Sequence, residues 1–108
     1  MNVIAEQLLF PEGPIAMPDG SIVLVEIARG TLSRVTSEGL VEVIAELGGG
    51  PNGAAIGPDG DCYVCNNGGM MFHRSSAGLL YPGSQPEDYM GGSIQRVNLN
   101  TGNFKTLY

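Results

Sequence analysis

Tryptophan is absent from this 108-residue chain, histidine occurs once, cysteine twice, and only five side chains are basic. Those five, Arg29, Arg34, Arg74, Arg96 and Lys105, form no cluster, and the formal net charge is −6. A phosphate-binding stripe needs grouped Lys and Arg, so nucleic acid is not an expected partner. The acidic balance also argues against an anionic membrane surface. No run approaches the roughly 18 continuous apolar residues that would suggest a membrane span. Residues 1–10 have no basic n-region and no small-residue cleavage site, so no secretory signal is read and a cytoplasmic setting is expected. The missing Trp and the missing Gly-His pair together exclude WD-type repeats.

The two cysteines, Cys62 and Cys65, are spaced as Cys-x-x-Cys. That spacing suits redox chemistry or half of a zinc site. Redox pairs sit at a helix N-terminus, where a thiolate is stabilised. Here the pair lies in Asp61-Cys62-Tyr63-Val64-Cys65, which reads as a strand. On a strand a spacing of three points the two side chains to opposite faces. No second Cys or His pair completes a zinc site. Both are expected to be plain buried thiols.

The sequence does contain a repeat. Pro11-Glu12-Gly13-Pro14-Ile15-Ala16-Met17-Pro18-Asp19-Gly20 returns 40 residues later as Pro51-Asn52-Gly53-Ala54-Ala55-Ile56-Gly57-Pro58-Asp59-Gly60. The 17 glycines and 7 prolines fall largely at such regular positions, as turn punctuation does. The first unit parses into four strand-like runs: 8–17, 21–27, 31–36 and 40–47. Pro18-Asp19-Gly20, Ala28-Arg29-Gly30 and Ser37-Glu38-Gly39 turn the chain between them. The second run is nearly all apolar, which suits a strand buried on both faces. In the third, Leu32 and Arg34 point one way, Ser33 and Val35 the other. The runs recur after Gly48-Gly49-Gly50, but the third returns as Gly92 to Val97, at an offset of 62. An insertion of about 22 residues therefore separates the second and third runs of the second unit.

Four short antiparallel strands with a period near 40 describe one blade of a β-propeller. The fold class expected is all-β, with one blade over about 8–47 and another over about 51–108, the latter carrying an inserted loop at about 66–91. Propellers close with about four to eight blades, because two alone leave open edges. The expectation is the first part of a longer chain. The alternative is several copies assembled into one ring.

Innermost strands of successive blades line a central channel. Glu12 and Asn52 are equivalents there, a carboxylate and an amide oxygen of the kind Ca²⁺ prefers. Plain turn chemistry explains Asn52 before Gly53 equally well. It explains Glu12 less well, since a turn there would favour Asp, Asn or Ser. The single histidine, His73, lies in the insertion, where an exposed or lid-packing role is expected.

Phe10-Pro11-Glu12-Gly13-Pro14, Pro18-Asp19-Gly20, Gly49-Gly50-Pro51-Asn52-Gly53, Pro58-Asp59-Gly60 and Cys62-Tyr63-Val64-Cys65-Asn66-Asn67-Gly68-Gly69 resemble the senescence-marker-protein/gluconolactonase/luciferin-regenerating-enzyme family. The resemblance covers the chain as the first third of such a protein. It implies a six-bladed propeller with one divalent metal in its channel, usually Ca²⁺, with Zn²⁺ or Mg²⁺ as the other options. It also implies hydrolysis of a small-molecule lactone. It places the family's first metal-ligand Glu on Glu12. The remaining ligands, an Asn and an Asp from later blades, have no counterpart here, nor does the general base, so no catalytic residue is expected within this chain. The family's substrate-binding Asn usually lies on the third blade, so Asn52, on the second, is carried as a substrate-binding candidate only. Glu26 stands where many members have Asp. The rival readings are an NHL-like binding propeller without catalysis, or a piece that is inactive by itself.

Overall fold

The computed structural model describes residues 2–108, and its regular structure is entirely strand. Ten strands follow in order: β1 (Pro11–Ala16), β2 (Ile22–Glu26), β3 (Thr31–Val35), β4 (Val41–Glu46), β5 (Pro51–Ile56), β6 (Cys62–Asn66), β7 (Phe72–Arg74), β8 (Leu80–Pro82), β9 (Ser93–Val97) and β10 (Phe104–Thr106). They form two four-stranded antiparallel sheets, ordered β1-β2-β3-β4 and β5-β6-β9-β10, and a separate β7-β8 hairpin. The sheets have the same topology, as the repeat requires. None of the described residues forms a helix long and apolar enough to cross a membrane.

The turn chemistry repeats along with the strands. Gly20 and Gly60 carry φ of 88° and 84°, where a Cβ would be strained. In each turn the aspartate accepts a backbone N–H two residues on, Ser21 to Asp19 at 2.9 Å and Asp61 to Asp59 at 3.0 Å. The third strand supplies an arginine to each: Arg34 lies 3.8 Å from Asp19, and Arg96 lies 3.1 Å from Asp59 and 2.7 Å from Asp61. These pairs are solvent-facing and add register more than stability.

The core fills the space between the sheets. Val23 and Val25 of β2, Leu32 of β3, Ala45 of β4 and Leu47 from the first sheet meet Cys62 and Val64 of β6 and Val97 of β9 from the second. β2 is buried on both faces, because Leu24 and Glu26 on its other side are buried too. The two edge strands β1 and β5 lie side by side. Their backbones are so close that a Cβ on Gly13, whose φ is +57°, would sit 3.3 Å from the Gly53 Cα and the Ala54 nitrogen.

Three expectations change. The insertion is not irregular throughout, since it pairs Phe72 with Pro82, His73 with Tyr81 and Arg74 with Leu80. The first run starts at Pro11 and not at residue 8, because Gln7 and Phe10 have φ of 64° and 60°, outside the extended region. Cys65 is exposed and only Cys62 is buried, so one of the two expected buried thiols faces solvent. Strand alternation is the reason: Cys62 shares a face with Val64 against the core, and Cys65 takes the other.

Leu32 is fully buried, whereas Leu40 is 60% exposed. Leu32→Ala should lower the unfolding free energy by about 2–5 kcal/mol. Leu40→Ala should change it by less than about 0.5 kcal/mol. Urea titration of both variants checks this, and equal losses would place the core elsewhere.

Candidate functional site

Glu12 and Asn52 sit at matching places in the two sheets, each beside a break in strand register. In β1 the pairing slips between Glu12, opposite Val25, and Ile15, opposite Val23. In β5 it slips between Pro51, opposite Asn66, and Gly53, opposite Cys65, which leaves Asn52 without a partner. Such bulges re-aim side chains and recur beside functional sites. Both side chains are exposed. With β1 against β5, the two oxygen-bearing groups stand on adjacent edge strands at the same end of the sheets. Among the described residues, no group of three or more His, Cys, Asp or Glu side chains is arranged to hold a metal ion. One carboxylate and one amide oxygen fall short of the roughly six to eight oxygens Ca²⁺ takes.

Next to Val25, the partner of Glu12, stands a residue whose role the strand pattern does not reveal. Glu26 ends β2 opposite Pro11 and is 0% exposed. Its Oε1 accepts the Leu9 N–H at 2.9 Å and the Arg29 Nε–H at 2.9 Å. Its Oε2 accepts the Ser33 hydroxyl at 2.7 Å and the Thr31 hydroxyl at 3.1 Å. Burial pushes this carboxyl upward, but the Ser33, Leu9, Arg29 and Thr31 hydrogen bonds outweigh it, and the group stays below its ordinary 4.5.

Asn66 is the residue 40 positions on and occupies the same corner of the second sheet. Its Oδ1 accepts the Gly50 and Gly68 N–H groups, each at 2.9 Å. Its Nδ2 donates to the Gly48 carbonyl at 2.8 Å and to Gln95 Oε1 at 3.0 Å. Gln95 in turn replaces Ser33. The partners decide the side chain: four donors around Glu26 call for a carboxylate, and two donors with two acceptors around Asn66 call for an amide. The clue present in the sequence was that both equivalent positions change together, Glu26 with Ser33 in one unit becoming Asn66 with Gln95 in the other.

The hairpin β7-β8 packs near this end. The Phe72 ring lies 5.5 Å from that of Phe10, two residues before Glu12. His73 is exposed and lies against Tyr81, ring centres 5.7 Å apart. The structure thus places His73 on the surface of the hairpin, as expected. A cavity of about 400 Å³, lined by Arg34, Asp59, Asp61 and Asn98 among others, opens at the opposite end, beside the Pro-Asp-Gly turns. Its charged lining residues are already paired, Arg34 with Asp19 and Asp59 and Asp61 with Arg96, so it adds nothing to the Glu12 site.

Comparison with known proteins finds no matching family model and no matching curated relative.

Two outcomes follow. A carboxyl whose folded-state pKa is depressed stabilises the fold above its unfolded value and loses that contribution as the pH falls through the folded value. The thermal midpoint should therefore drop as the solution is acidified below about 4.5. In Glu26→Gln the midpoint should start lower and lack that acid component; an identical acid profile in calorimetry would remove Glu26 as its source. Burial also pushes the Cys62 thiol up to about 11. Ellman's reagent should label Cys65 alone in the folded protein, and rapid labelling of both thiols would contradict the packing.

Proposed function

We propose that this chain contributes the first two blades of a β-propeller of the gluconolactonase type, a metal-dependent lactone hydrolase of which Glu12 is one metal ligand. One observation carries the reading. Glu12 and Asn52 stand exposed, at matching register breaks, on the two adjacent edge strands of successive like sheets. A propeller puts that strand of every blade on its central channel. The Phe-Pro-Glu-Gly-Pro head, which resembles that family, supports the same assignment. In this setting Glu12 holds a divalent cation, most simply Ca²⁺, whose other oxygens come from further blades and water. The cation, when bound, supplies a Lewis acid for the lactone carbonyl and for its developing oxyanion. Glu12 itself holds and does not attack. Asn52 faces the substrate side as a hydrogen-bonding group. The general base lies outside residues 1–108. A cytoplasmic setting fits two unpaired cysteines, which stay reduced there.

A binding propeller without catalysis is the second reading. The exposed Met71, Leu79 and Tyr81 on the β7-β8 hairpin favour it, since they would suit a partner surface.

Calorimetric titration of the full protein with Ca²⁺ tests the ligand role. Glu12→Gln should weaken binding at least about tenfold, through loss of a charged ligand. Wild-type affinity in that variant removes Glu12 from the site. In pH-stat assays with an aldonolactone, Ca²⁺-dependent acid release supports the hydrolase. Ca²⁺ binding without acid release leaves the binding module.

A further inference from the structure

The chain reaches Glu12 through a segment that has no regular structure and is conformationally costly. Phe10 is a bulky residue at φ 60°, a region that persists only where the surroundings over-determine it. The corner of β2 supplies that determination. The Ile27 N–H donates to the Phe10 carbonyl at 3.0 Å and the Ala28 N–H to the Leu9 carbonyl at 3.2 Å. The Leu9 N–H is taken by Glu26 Oε1 at 2.9 Å. Arg29 anchors on the same oxygen and passes a second donor, Nη2, to the Gln7 carbonyl at 3.2 Å. Residues 7, 9 and 10 are thus gripped from one corner, immediately before Pro11 and Glu12.

The second sheet repeats the device with different chemistry. Asn66 takes the Gly50 N–H and gives to the Gly48 carbonyl, and the Asn67 N–H donates to the Gly50 carbonyl at 2.8 Å. The strand thus seated begins Pro51-Asn52. Two corners of different composition seat the two strands that carry the two exposed oxygen groups.

We infer that Glu26 is a positioning residue: through the Leu9 N–H and Arg29 it sets the backbone from Leu9 to Glu12 and so aims the Glu12 carboxylate, as Asn66 does for Asn52. The consequence for metal affinity rests on the reading that Glu12 is a ligand. A general stabiliser would act differently. Ser33 contributes to the same buried cluster through Oε2 and the Thr31 hydroxyl and does not touch Oε1, so its loss should weaken the fold and leave the Leu9 contact in place.

The test uses the full protein as wild type, Glu26→Gln, Glu26→Asp, Ser33→Ala and Glu12→Gln. Two readouts are needed: amide exchange and chemical shifts by NMR, and Tb³⁺ binding by luminescence. Glu26→Gln should speed exchange at Leu9 and shift the Glu12 amide, with Met17 and Gly20 unmoved. It should weaken Tb³⁺ binding by about 10–100-fold, as loss of a residue supporting a ligand does. Ser33→Ala should lower the melting temperature and keep Tb³⁺ affinity within about twofold of wild type. Glu26→Asp, which keeps the charge, should fall between and serves if the glutamine variant does not fold. Unchanged Leu9 exchange in both Glu26 variants overturns the inference, as does wild-type Tb³⁺ affinity in them where Glu12→Gln has weakened it. Should Tb³⁺ ignore Glu12→Gln, the metal reading fails by itself. The Leu9 and Glu12 amides then decide the positioning role alone.

Discussion

Strand β2 has to satisfy two different environments at once, and most of the molecule follows from how it does so. Its Val23 and Val25 close the space between the sheets, against Val64 and Val97. Its Glu26, on the other face, buries a carboxylate with no solvent to share the charge. An unpaired buried carboxylate would cost several kcal/mol, on the order of 3–5 when a partner is removed from such a pair. Four donors offset that cost here, and they come from Leu9, Arg29, Thr31 and Ser33. Satisfying one charge therefore recruits the N-terminal segment, the β2-β3 turn and strand β3.

The second sheet meets the same geometric problem without a charge. Asn66 and Gln95 form an amide pair that also reaches the glycine run before β5, where Gln95 Nε2 lies 3.5 Å from the Leu47 carbonyl. The solution is neutral and holds no titrating group, so the two buried corners differ in chemistry although the sheets share a topology. Close approach adds a second constraint. Gly13 admits the backbone of β5, and any Cβ there would press on Gly53 and Ala54. The Pro-Glu-Gly run is thus a packing feature as well as a carrier of Glu12.

Much of the fold was legible in the residues. The Pro-Asp-Gly turns, the β-branched run of β2 and the alternation of Leu32 and Ser33 read correctly, because turn chemistry and strand period are local properties. The 40-residue offset also matches Glu12 with Asn52. Other features were not legible. The hairpin hidden in the insertion has strands of three residues each, too short for a periodic signal. The start of β1 depended on the positive φ of Phe10, which a bulky residue adopts only under tertiary pressure. Cys65 was legible in principle, since the spacing of three already sent it to the face opposite Cys62.

Glu26 marks the boundary between the two kinds of information. The order of residues is enough to show that two like units of four strands follow one another, that they turn at Pro-Asp-Gly, and that a carboxylate stands at the head of the first where the second has an amide. Those properties depend on neighbours in the chain. The folded molecule adds that Glu26 is buried, that its four partners are all donors, and that β1 and β5, which carry Glu12 and Asn52, lie side by side. Those depend on residues distant in the chain meeting in space, as Leu9 meets Glu26 and Gly13 meets Ala54. No local pattern encodes which donors will converge on one oxygen.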